Sequence, residues 1–290
     1  MHIMTRIILF CCVSLLASAM TLQAAVPKNN LKADQLITFK QVEGGKDLSL
    51  HVFLPEGWKK SDKRPAAVFF FGGGWVGGSA RQFYPQAKSL ADLGMVGISA
   101  DYRTKGSHKA DPKQCVEDGK SAVRWIRSHA EVLGIDPTRL AVGGGSAGGH
   151  VAAASTFCDG FNAKGEDTDV STVANALVLF NPVLDNGPGE WGHAKVKDYW
   201  KEISPAHNVT KPIPPTLYML GTKDNLIPVA AAKRFLKTVT DAGGRCDLKL
   251  HEGAKHGFFN RPPHLKNTMA EMITFLTSLK WIDEDGKAVH

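Results

Sequence analysis

The sequence predicts a three-layer α/β fold, in which a mostly parallel, eight-stranded sheet carries helices on both faces. Apolar runs of strand length recur along the chain at 36–42, 48–54, 66–71, 95–100, 139–142, 176–180, 216–220 and 247–250. From the third run onward, stretches with helical periodicity lie between the runs, at 82–93, 112–133, 147–157, 229–242 and 263–279. Strands that alternate with helices form parallel sheets, because each helix carries the chain back across one face of the sheet.

The first two runs, 36–42 and 48–54, have no helix between them. They are joined through Gly44 and Gly45, and glycine tolerates the backbone conformations of tight turns. We therefore predict an antiparallel hairpin at one edge of the sheet.

The first 25 residues have the three parts of a cleaved secretory signal. A basic start with His2 and Arg6 precedes an apolar stretch at 7–16, and the segment ends on the small residues Ala24 and Ala25. The apolar stretch is too short to span a bilayer, so we expect no stable membrane insertion, with a retained anchor as the alternative. The predicted location is secreted or periplasmic.

Residues 26–290 have the length of one α/β domain with a small insertion near 185–212, and two small domains would have the same total length. The net charge is +7 with Lys and Arg scattered along the chain, which argues against a nucleic-acid surface. The cysteines after the signal are Cys115, Cys158 and Cys246. They permit one disulfide and one free thiol, and their spacing is not that of a metal site.

Ser146 lies among small residues, directly after the fifth apolar run and before a helical stretch. The segment 143–149 reads Gly-Gly-Gly-Ser-Ala-Gly-Gly. A nucleophile on a sharp strand-to-helix turn has a strained backbone, and side chains two positions either side of it would clash. The composition therefore predicts that Ser146 is a nucleophile, although glycine-rich turns also occur as plain connections or phosphate-binding loops.

A serine hydroxyl needs a base that takes its proton and a carboxylate that orients the base. Asp224 follows the seventh run and His256 follows the eighth, so both lie beyond the carboxyl ends of strands, where the reactive groups of parallel sheets gather. The order serine, acid, histidine is the one expected for such a nucleophile turn. We predict that Ser146, Asp224 and His256 form a catalytic triad.

Other residues could fill or share these roles. Asp224 is also a suitable cap for the helix predicted from 229, and Asp185, after the sixth run, is a rival acid. His251 is expected to point from a strand, and His150 lies within the helix after the nucleophile. We interpret both histidines as structural.

A second glycine-rich segment, 72–74, follows the third run. Attack on an ester creates an oxyanion, and each backbone N–H aimed at it stabilises the transition state by about 3 to 4 kcal/mol. Because glycine lets the backbone approach closely, we assign the donors to Ala147 and to two residues among Gly73, Gly74 and Trp75. A plain glycine turn is the alternative reading of this segment.

Taken together, these motifs resemble the carboxylesterase branch of the α/β-hydrolase superfamily, which includes hormone-sensitive-lipase-like esterases and acetyl xylan or feruloyl esterases. The resemblance covers about residues 48–279 and includes the segments 118–125, 134–139 and 145–150. It implies the three-layer α/β-hydrolase fold, and it implies Ser146, Asp224 and His256 as the triad.

One departure from the family concerns the glycine loop. The family commonly has histidine before the three glycines, and Phe71 stands there in this chain. That histidine helps to hold the loop through hydrogen bonds, which phenylalanine cannot make. This departure leaves the rigidity of the loop open, but it does not affect donation by the backbone N–H groups.

Aromatic residues in the insertion near 185–212 bear on the substrate. Few residues separate the signal from the first predicted strand, so we expect no large lid from that side. We hypothesise an open cleft in which Trp75, Trp191 and Trp200 stack on sugar rings. Core packing of an irregular loop is the alternative explanation for these aromatics.

The predicted reaction is the hydrolysis of short-chain esters through an acyl-enzyme, which requires no metal and no organic cofactor. Expected substrates are small esters or an acylated polysaccharide, with acetyl or feruloyl groups of plant polysaccharide as the favoured class. A peptidase of the prolyl-oligopeptidase type and a noncatalytic binding protein of the same fold are the alternatives. The sequence leaves the oligomeric state open.

Overall fold

The computed structural model describes residues 30–289, so the predicted signal at 1–25 lies outside the described residues. The strands are β1 (Gln35–Lys40), β2 (Leu48–Phe53), β3 (Arg64–Phe70), β4 (Val96–Ala100), β5 (Ile135–Gly145), β6 (Ala176–Phe180), β7 (Thr216–Gly221) and β8 (Cys246–His251). The α-helices are α1 (Tyr84–Asp92), α2 (Lys105–His108), α3 (Pro112–Ser128), α4 (Ala130–Leu133), α5 (Ala147–Phe157), α6 (His193–Val196), α7 (Trp200–Ile203), α8 (Val229–Asp241) and α9 (His264–Ser278).

One sheet of eight strands contains all of these strands, in the order β1-β2-β4-β3-β5-β6-β7-β8. The strand β2 is antiparallel to both β1 and β4. The six strands β3 to β8 run parallel to one another. The predicted sheet is therefore confirmed, and so is the antiparallel hairpin at its edge.

Helices cover both faces of the sheet, as the alternation of strands and helices predicts. Along β3, Ala66, Val68 and Phe70 face the core that α3, α5 and α8 cover, whereas Ala67 and Phe69 face the core under α1 and α9. This alternation with a period of two is that of a strand buried on both sides.

Two predicted elements differ from the structure by a break or by more than two residues, whereas the other predicted elements agree to within two residues at each end. The helix predicted at 112–133 is divided into α3 and α4, because the backbone of His129 leaves the helical region at φ −115° and ψ 26°. The strand predicted at 139–142 is β5, which begins at Ile135, where Ile135 pairs with Arg64. A hydropathy pattern does not detect this first part of the strand, because it contains polar residues and Pro137.

The insertion near 185–212 folds into short helices, α6 and α7, joined by 3-10 turns. Its residues Val196 and Ile203 share a small apolar cluster with residues of α3 and α5. Cys115, Cys158 and Cys246 are free thiols, so the disulfide that the cysteine count permits is not formed among them. Between residues 30 and 289, no helix has the length and apolar character needed to cross a membrane.

Candidate active site

Ser146 lies at the sharp turn between the end of β5 and the start of α5. Its backbone has φ 53° and ψ −120°, a combination that a residue with a side chain rarely adopts. Its neighbours in β5 and α5 are buried, whereas Ser146 itself is half-buried. The turn therefore lifts one hydroxyl out of a packed segment.

The glycines two positions either side of Ser146 leave no room for a side chain. A Cβ atom added at Gly144 would lie 2.5 Å from the carbonyl oxygen of Phe70, and one added at Gly148 would lie 2.1 Å from the same oxygen. Both clashes are with backbone, which cannot turn aside. The predicted steric reason for these glycines is confirmed.

His256 follows β8 and approaches Ser146 from across the sheet edge. Its Nε2 lies 2.8 Å from the Oγ of Ser146, and its Nδ1 lies 2.8 Å from Oδ2 of Asp224. With a carboxylate at Nδ1, that nitrogen carries the proton and donates it, so Nε2 is free to accept the proton of the serine. The structure thus brings together the three side chains predicted as a triad.

Asp224 is held by two kinds of hydrogen bond. Its side chain is 0% exposed, and Oδ1 accepts the backbone N–H groups of Leu226 and Ile227, each at 2.9 Å. The helix α8 begins at Val229 behind Pro228, so Asp224 is not its cap. Because Oδ1 is fixed by the turn, Oδ2 is aimed at the imidazole.

The rival acid, Asp185, lies elsewhere. Its Oδ1 is 3.0 Å from Nε2 of His207, and its Oδ2 is 3.4 Å from Nη2 of Arg234. These partners and the turn at Gly187, whose N–H donates to Oδ1 at 2.9 Å, engage the carboxylate. The structure therefore places Asp224, and not Asp185, next to the imidazole of His256.

The other two histidines considered as bases occupy structural positions. His150 is fully buried in α5, where its Nε2 donates to the carbonyl oxygen of Ile203 at 2.9 Å. Burial lowers the pKa of His150 to about 4, so its ring is neutral at physiological pH. Nε2 of His251 lies 3.0 Å from Oε2 of Glu271. Residues 30–289 contain no group of three or more His, Cys, Asp or Glu side chains that could hold a metal ion.

The glycine loop after β3 lies against Ser146. A Cβ atom added at Gly72 would be 3.3 Å from the Cβ of Ser146. Within the part of the chain that the structure describes, the backbone N–H groups of Gly73, Gly74, Trp75 and Ala147 donate to no acceptor. Unused donors beside a nucleophile are suited to an oxyanion.

Other side chains hold the glycine loop at the place where the family commonly has a histidine. The hydroxyl of Tyr102 donates to the carbonyl oxygen of Phe71 at 2.7 Å, and the two rings stack with their centroids 4.2 Å apart. Oε1 of Gln82 accepts the N–H of Gly72 at 2.6 Å. The N–H of Val76 also donates to the carbonyl oxygen of Gly73 at 3.0 Å.

Asn181 is a site residue that the sequence reasoning missed. It follows β6, is 0% exposed, and has a φ of 36°. Its Oδ1 accepts the N–H of Gly257 at 3.1 Å, and its Nδ2 lies 3.4 Å from Nε2 of His256. A polar residue directly after a buried strand of the parallel sheet is the signal that could have identified it.

The tryptophans proposed to stack on sugars differ in their surroundings. Trp75 is 2% exposed, and its ring packs against those of His150 and Trp191 with centroids 5.0 and 5.1 Å away, so the prediction that it stacks on a sugar is wrong. Trp191 is half-buried, and its ring would lie 3.5 Å from a Cβ added at Gly74. Trp200 packs on the cluster around Val196 and against the ring of His207, at 4.9 Å.

Two family models match this chain. The model described as BD-FAE matches residues 50–186, and that of the dienelactone hydrolase family matches residues 174–285. Between them they span the glycine loop, the nucleophile turn and the loops that carry Asp224 and His256.

Several known proteins are similar in sequence. Esterase LipC of Mycobacterium tuberculosis is 31% identical over 227 residues, which are 69% of this chain and 56% of LipC. An AB hydrolase superfamily protein of Schizosaccharomyces pombe is 33% identical over 254 residues, covering 77% of this chain and 72% of that protein. The chain spans about half the length of the mycobacterial esterases that it matches, at 56%, 51% and 47% for LipC, LipQ and LipM.

Solved structures provide a more complete match. An esterase of the planctomycete Thermogutta terrifontis, named Est2, has a TM-score of 0.80 at 38% identity, with 84% of this chain and 92% of that chain covered. That esterase is also known with propionate bound, at a TM-score of 0.81, and phosphorylated by paraoxon, at 0.80.

Proposed function

Because the chain belongs to the carboxylesterase branch of the α/β-hydrolase superfamily, we propose that it hydrolyses short-chain carboxylic esters with Ser146 as nucleophile, His256 as base and Asp224 as its orienting acid. The observation that carries the proposal is the hydrogen-bonded series from the serine hydroxyl to the carboxylate, with 2.8 Å at both steps. A buried carboxylate, an imidazole and a half-buried hydroxyl in this order have the geometry that nucleophilic catalysis requires.

In the first half of the reaction, Nε2 of His256 takes the proton of Ser146 while Oγ forms a bond to the acyl carbon. The carbonyl oxygen becomes negative and is received by the free N–H groups of the glycine loop and of Ala147. The bond to the alcohol then breaks, and the leaving oxygen takes the proton from Nε2. The products of this half are the alcohol and an acyl-enzyme.

In the second half, a water molecule replaces the alcohol. Nε2 of His256 removes a proton from the water as its oxygen attacks the acyl carbon, and the same N–H groups receive the second oxyanion. The tetrahedral intermediate then collapses, which breaks the bond between the acyl carbon and Oγ of Ser146. The serine oxygen takes back the proton from Nε2 of His256. Throughout, the carboxylate of Asp224 stabilises the imidazolium and holds its ring in place.

The acyl group is proposed to be short, and the favoured substrate class is acetyl or feruloyl esters of plant polysaccharide. The Thermogutta esterase has been seen with propionate and with butyrate bound, which supports small acyl groups. The half-buried ring of Trp191 beside the glycine loop supports a sugar-binding cleft. We further propose that residues 1–25 direct export, which would bring the enzyme to such polymers.

The decisive experiment replaces the nucleophile. Ser146→Ala should lower the turnover of p-nitrophenyl acetate by a factor on the order of 10⁴ or more and should abolish labelling by a fluorophosphonate. Ser155→Ala, in the helix α5 that follows Ser146, is the matched control and should retain both. Turnover by Ser146→Ala at the level of the control would refute the assignment.

Comparison of acetylated xylan, methyl ferulate and p-nitrophenyl esters of graded length tests the substrate class. Trp191→Ala should weaken activity on the xylan more than on p-nitrophenyl acetate, because only the polymer offers a sugar ring to the indole. Equal losses on both would argue against sugar stacking. Hydrolysis of chromogenic dipeptides in place of esters would favour the peptidase alternative, and an unlabelled Ser146 would favour a binding protein.

A further inference from the structure

A pocket of about 410 Å³ lies beside the glycine loop. Gly74 and Trp75 of the loop line one side of it, and three lysines, Lys105, Lys109 and Lys195, line the remainder together with residues near the start of α3. We call it the lysine pocket. It brings together the first turn of α2, the residue after α2, and α6 of the insertion.

The positive charge of the lysine pocket is not matched by the protein. Within the described part of the chain, none of its three lysines takes part in an ion pair. The one acid in the lining, Asp111, uses Oδ1 to accept the N–H of Gln114 at 3.2 Å as the cap of α3. Three ammonium groups therefore share a concave surface with a single carboxylate.

Lys195 is the central member of this group. Its Nζ donates to the carbonyl oxygen of Gly74 at 2.9 Å. Burial lowers the pKa of Lys195, and the ammonium of Lys105 lowers it further, so these two amines are close enough to repel each other. A bound anion would relieve this repulsion.

Aromatic rings accompany the central lysine. Nζ of Lys195 lies 5.2 Å from the centroid of Trp191 and 5.7 Å from that of Trp75. Trp75 lines the pocket but is buried, whereas Trp191 is half-buried and lies beside Lys195 without lining the pocket. An aromatic face packs on the C–H face of a sugar, and an ammonium pairs with a carboxylate.

We propose that the lysine pocket binds a carboxylate carried by the substrate, so that the preferred substrates are esters of acidic saccharides that contain a uronic acid. This inference rests on the esterase activity proposed above. Through Lys195 and the carbonyl oxygen of Gly74, the pocket is joined directly to the loop that receives the oxyanion. A carboxylate held there would fix the sugar relative to the reacting ester.

The test uses two substrates that differ only in the charged group. Methyl O-acetyl-glucuronoside and methyl O-acetyl-glucoside, acetylated at the same hydroxyl, are compared by their kcat/KM values. The wild-type protein should prefer the acidic ester, and Lys105→Met with Lys195→Met should lower the ratio of acidic to neutral kcat/KM about three- to tenfold, mainly through KM. Lys113→Met is the matched control and should keep the wild-type ratio, because its ammonium lies over the ring of Tyr199, 4.0 Å from the centroid, and does not line the pocket.

Salt and a sulfated analogue give independent readouts. Raising the salt concentration from about 0.02 M to about 0.3 M should lower the same ratio, since screening weakens exposed charge pairs. A preference for the 6-sulfate of the acetyl glucoside over the glucuronoside would overturn the assignment to a carboxylate.

The two proposals fail in different ways. If the wild-type protein does not hydrolyse p-nitrophenyl acetate, the esterase activity itself is wrong, and the pocket inference falls with it. If it hydrolyses that ester and the ratio is one or below, or the double variant keeps the wild-type ratio, the lysine pocket has no part in substrate selection.

Discussion

The two carboxylate oxygens of Asp224 have different hydrogen-bond partners. One oxygen closes the turn at Leu226 and Ile227, and the other faces His256 at 2.8 Å. An amide in its place would keep the turn through its oxygen but would present an NH₂ group to Nδ1, which forces the imidazole into the wrong tautomer.

We therefore expect Asp224→Asn to lower kcat for p-nitrophenyl acetate by a factor on the order of 10³ to 10⁴, with little change in thermal stability. Asp185→Asn is the control, because that carboxylate pairs with His207 and not with His256. Steady-state kinetics and thermal unfolding of both variants measure the two effects. Equal activity of the two variants would contradict the assignment of the acid.

Asn181 connects two loops at the site, because its amide oxygen accepts from Gly257 while its amide nitrogen faces the imidazole. Asn181→Ala should lower kcat about tenfold to a hundredfold with little change in KM, since a loosened His256 spends less time within reach of Ser146. Asn208→Ala, in the insertion, is the control for loss of a partly buried amide. A normal kcat in Asn181→Ala would show that His256 needs no support from this side.

The sequence is sufficient to predict which three side chains meet at the candidate site, but not which residues support them. Ser146, Asp224 and His256 can be predicted because each residue type is demanded by the chemistry and each follows a strand. The role of Asn181 depends on how closely the loop after β6 approaches the loop after β8, which no local pattern encodes. The burial of Trp75 is equally hidden, because the neighbouring glycines suggest an open loop, whereas its ring packs against those of His150 and Trp191.

At the level of elements, the nucleophile turn depends on α5 packing closely on the sheet. The contact is made through Gly148, where an added Cβ would lie 2.1 Å from the carbonyl oxygen of Phe70 and 2.3 Å from that of Phe71. Phe70 is the last residue of β3, and Phe71 follows it at the start of the glycine loop. A shift of α5 would therefore move Ser146 away from the backbone N–H groups of the glycine loop.

Gly148→Ala should lower the free energy of unfolding by about 3 kcal/mol or more and should impair catalysis, because neither the helix nor the strand can yield without moving Ser146. Gly160→Ala provides the matched control, since an added Cβ there meets nothing within 4 Å. Urea unfolding and p-nitrophenyl acetate turnover are measured on both. Similar stabilities for the two variants would contradict the close-packing argument.

Element type is predicted from the sequence more reliably than element extent. The segment 147–157 is recovered as α5 without error because small and apolar residues continue to its end. The first part of β5, residues 135–138, is missed because most of these residues are polar or proline, and their pairing with β3 at Arg64 is a long-range contact. The division between α3 and α4 depends on a backbone change at His129 that periodicity does not reveal.

For the molecule as a whole, His150 joins α5, the helix that follows Ser146, to the insertion through the carbonyl oxygen of Ile203. Burial lowers the pKa of His150 from 6.5 to about 4 in the folded protein. Below about pH 6.5 the unfolded chain binds a proton at this ring and the folded protein does not, so stability is fully present above this pH and is lost as the pH falls toward 4.

The wild-type free energy of unfolding should therefore fall between pH 7.5 and pH 5 by roughly 2 kcal/mol more than that of His150→Gln. Glutamine can still donate to Ile203 but does not titrate in this range. Urea unfolding of both proteins at the two pH values measures the difference, in which the contributions of all other groups cancel. A difference near zero would show that this imidazole takes up a proton within the folded protein.

The fold class is predictable because it depends on a repeated pattern and not on any one residue. Strand and helix alternate from β3 to the end of the chain, and the parallel pairing that this alternation predicts is observed from β3 to β8. The pattern does not predict the arrangement of the insertion. Its short helices α6 and α7 have no periodicity of their own, and they pack against residues of α3 and α5.

The bond from Tyr102 to the carbonyl oxygen of Phe71 bears on how related enzymes are recognised. Since a phenol and the amide of Gln82 can restrain this loop, an imidazole at position 71 is one solution among several. A search pattern that insists on histidine before the glycines would discard such chains, whereas one written for the backbone shape of the loop would retain them.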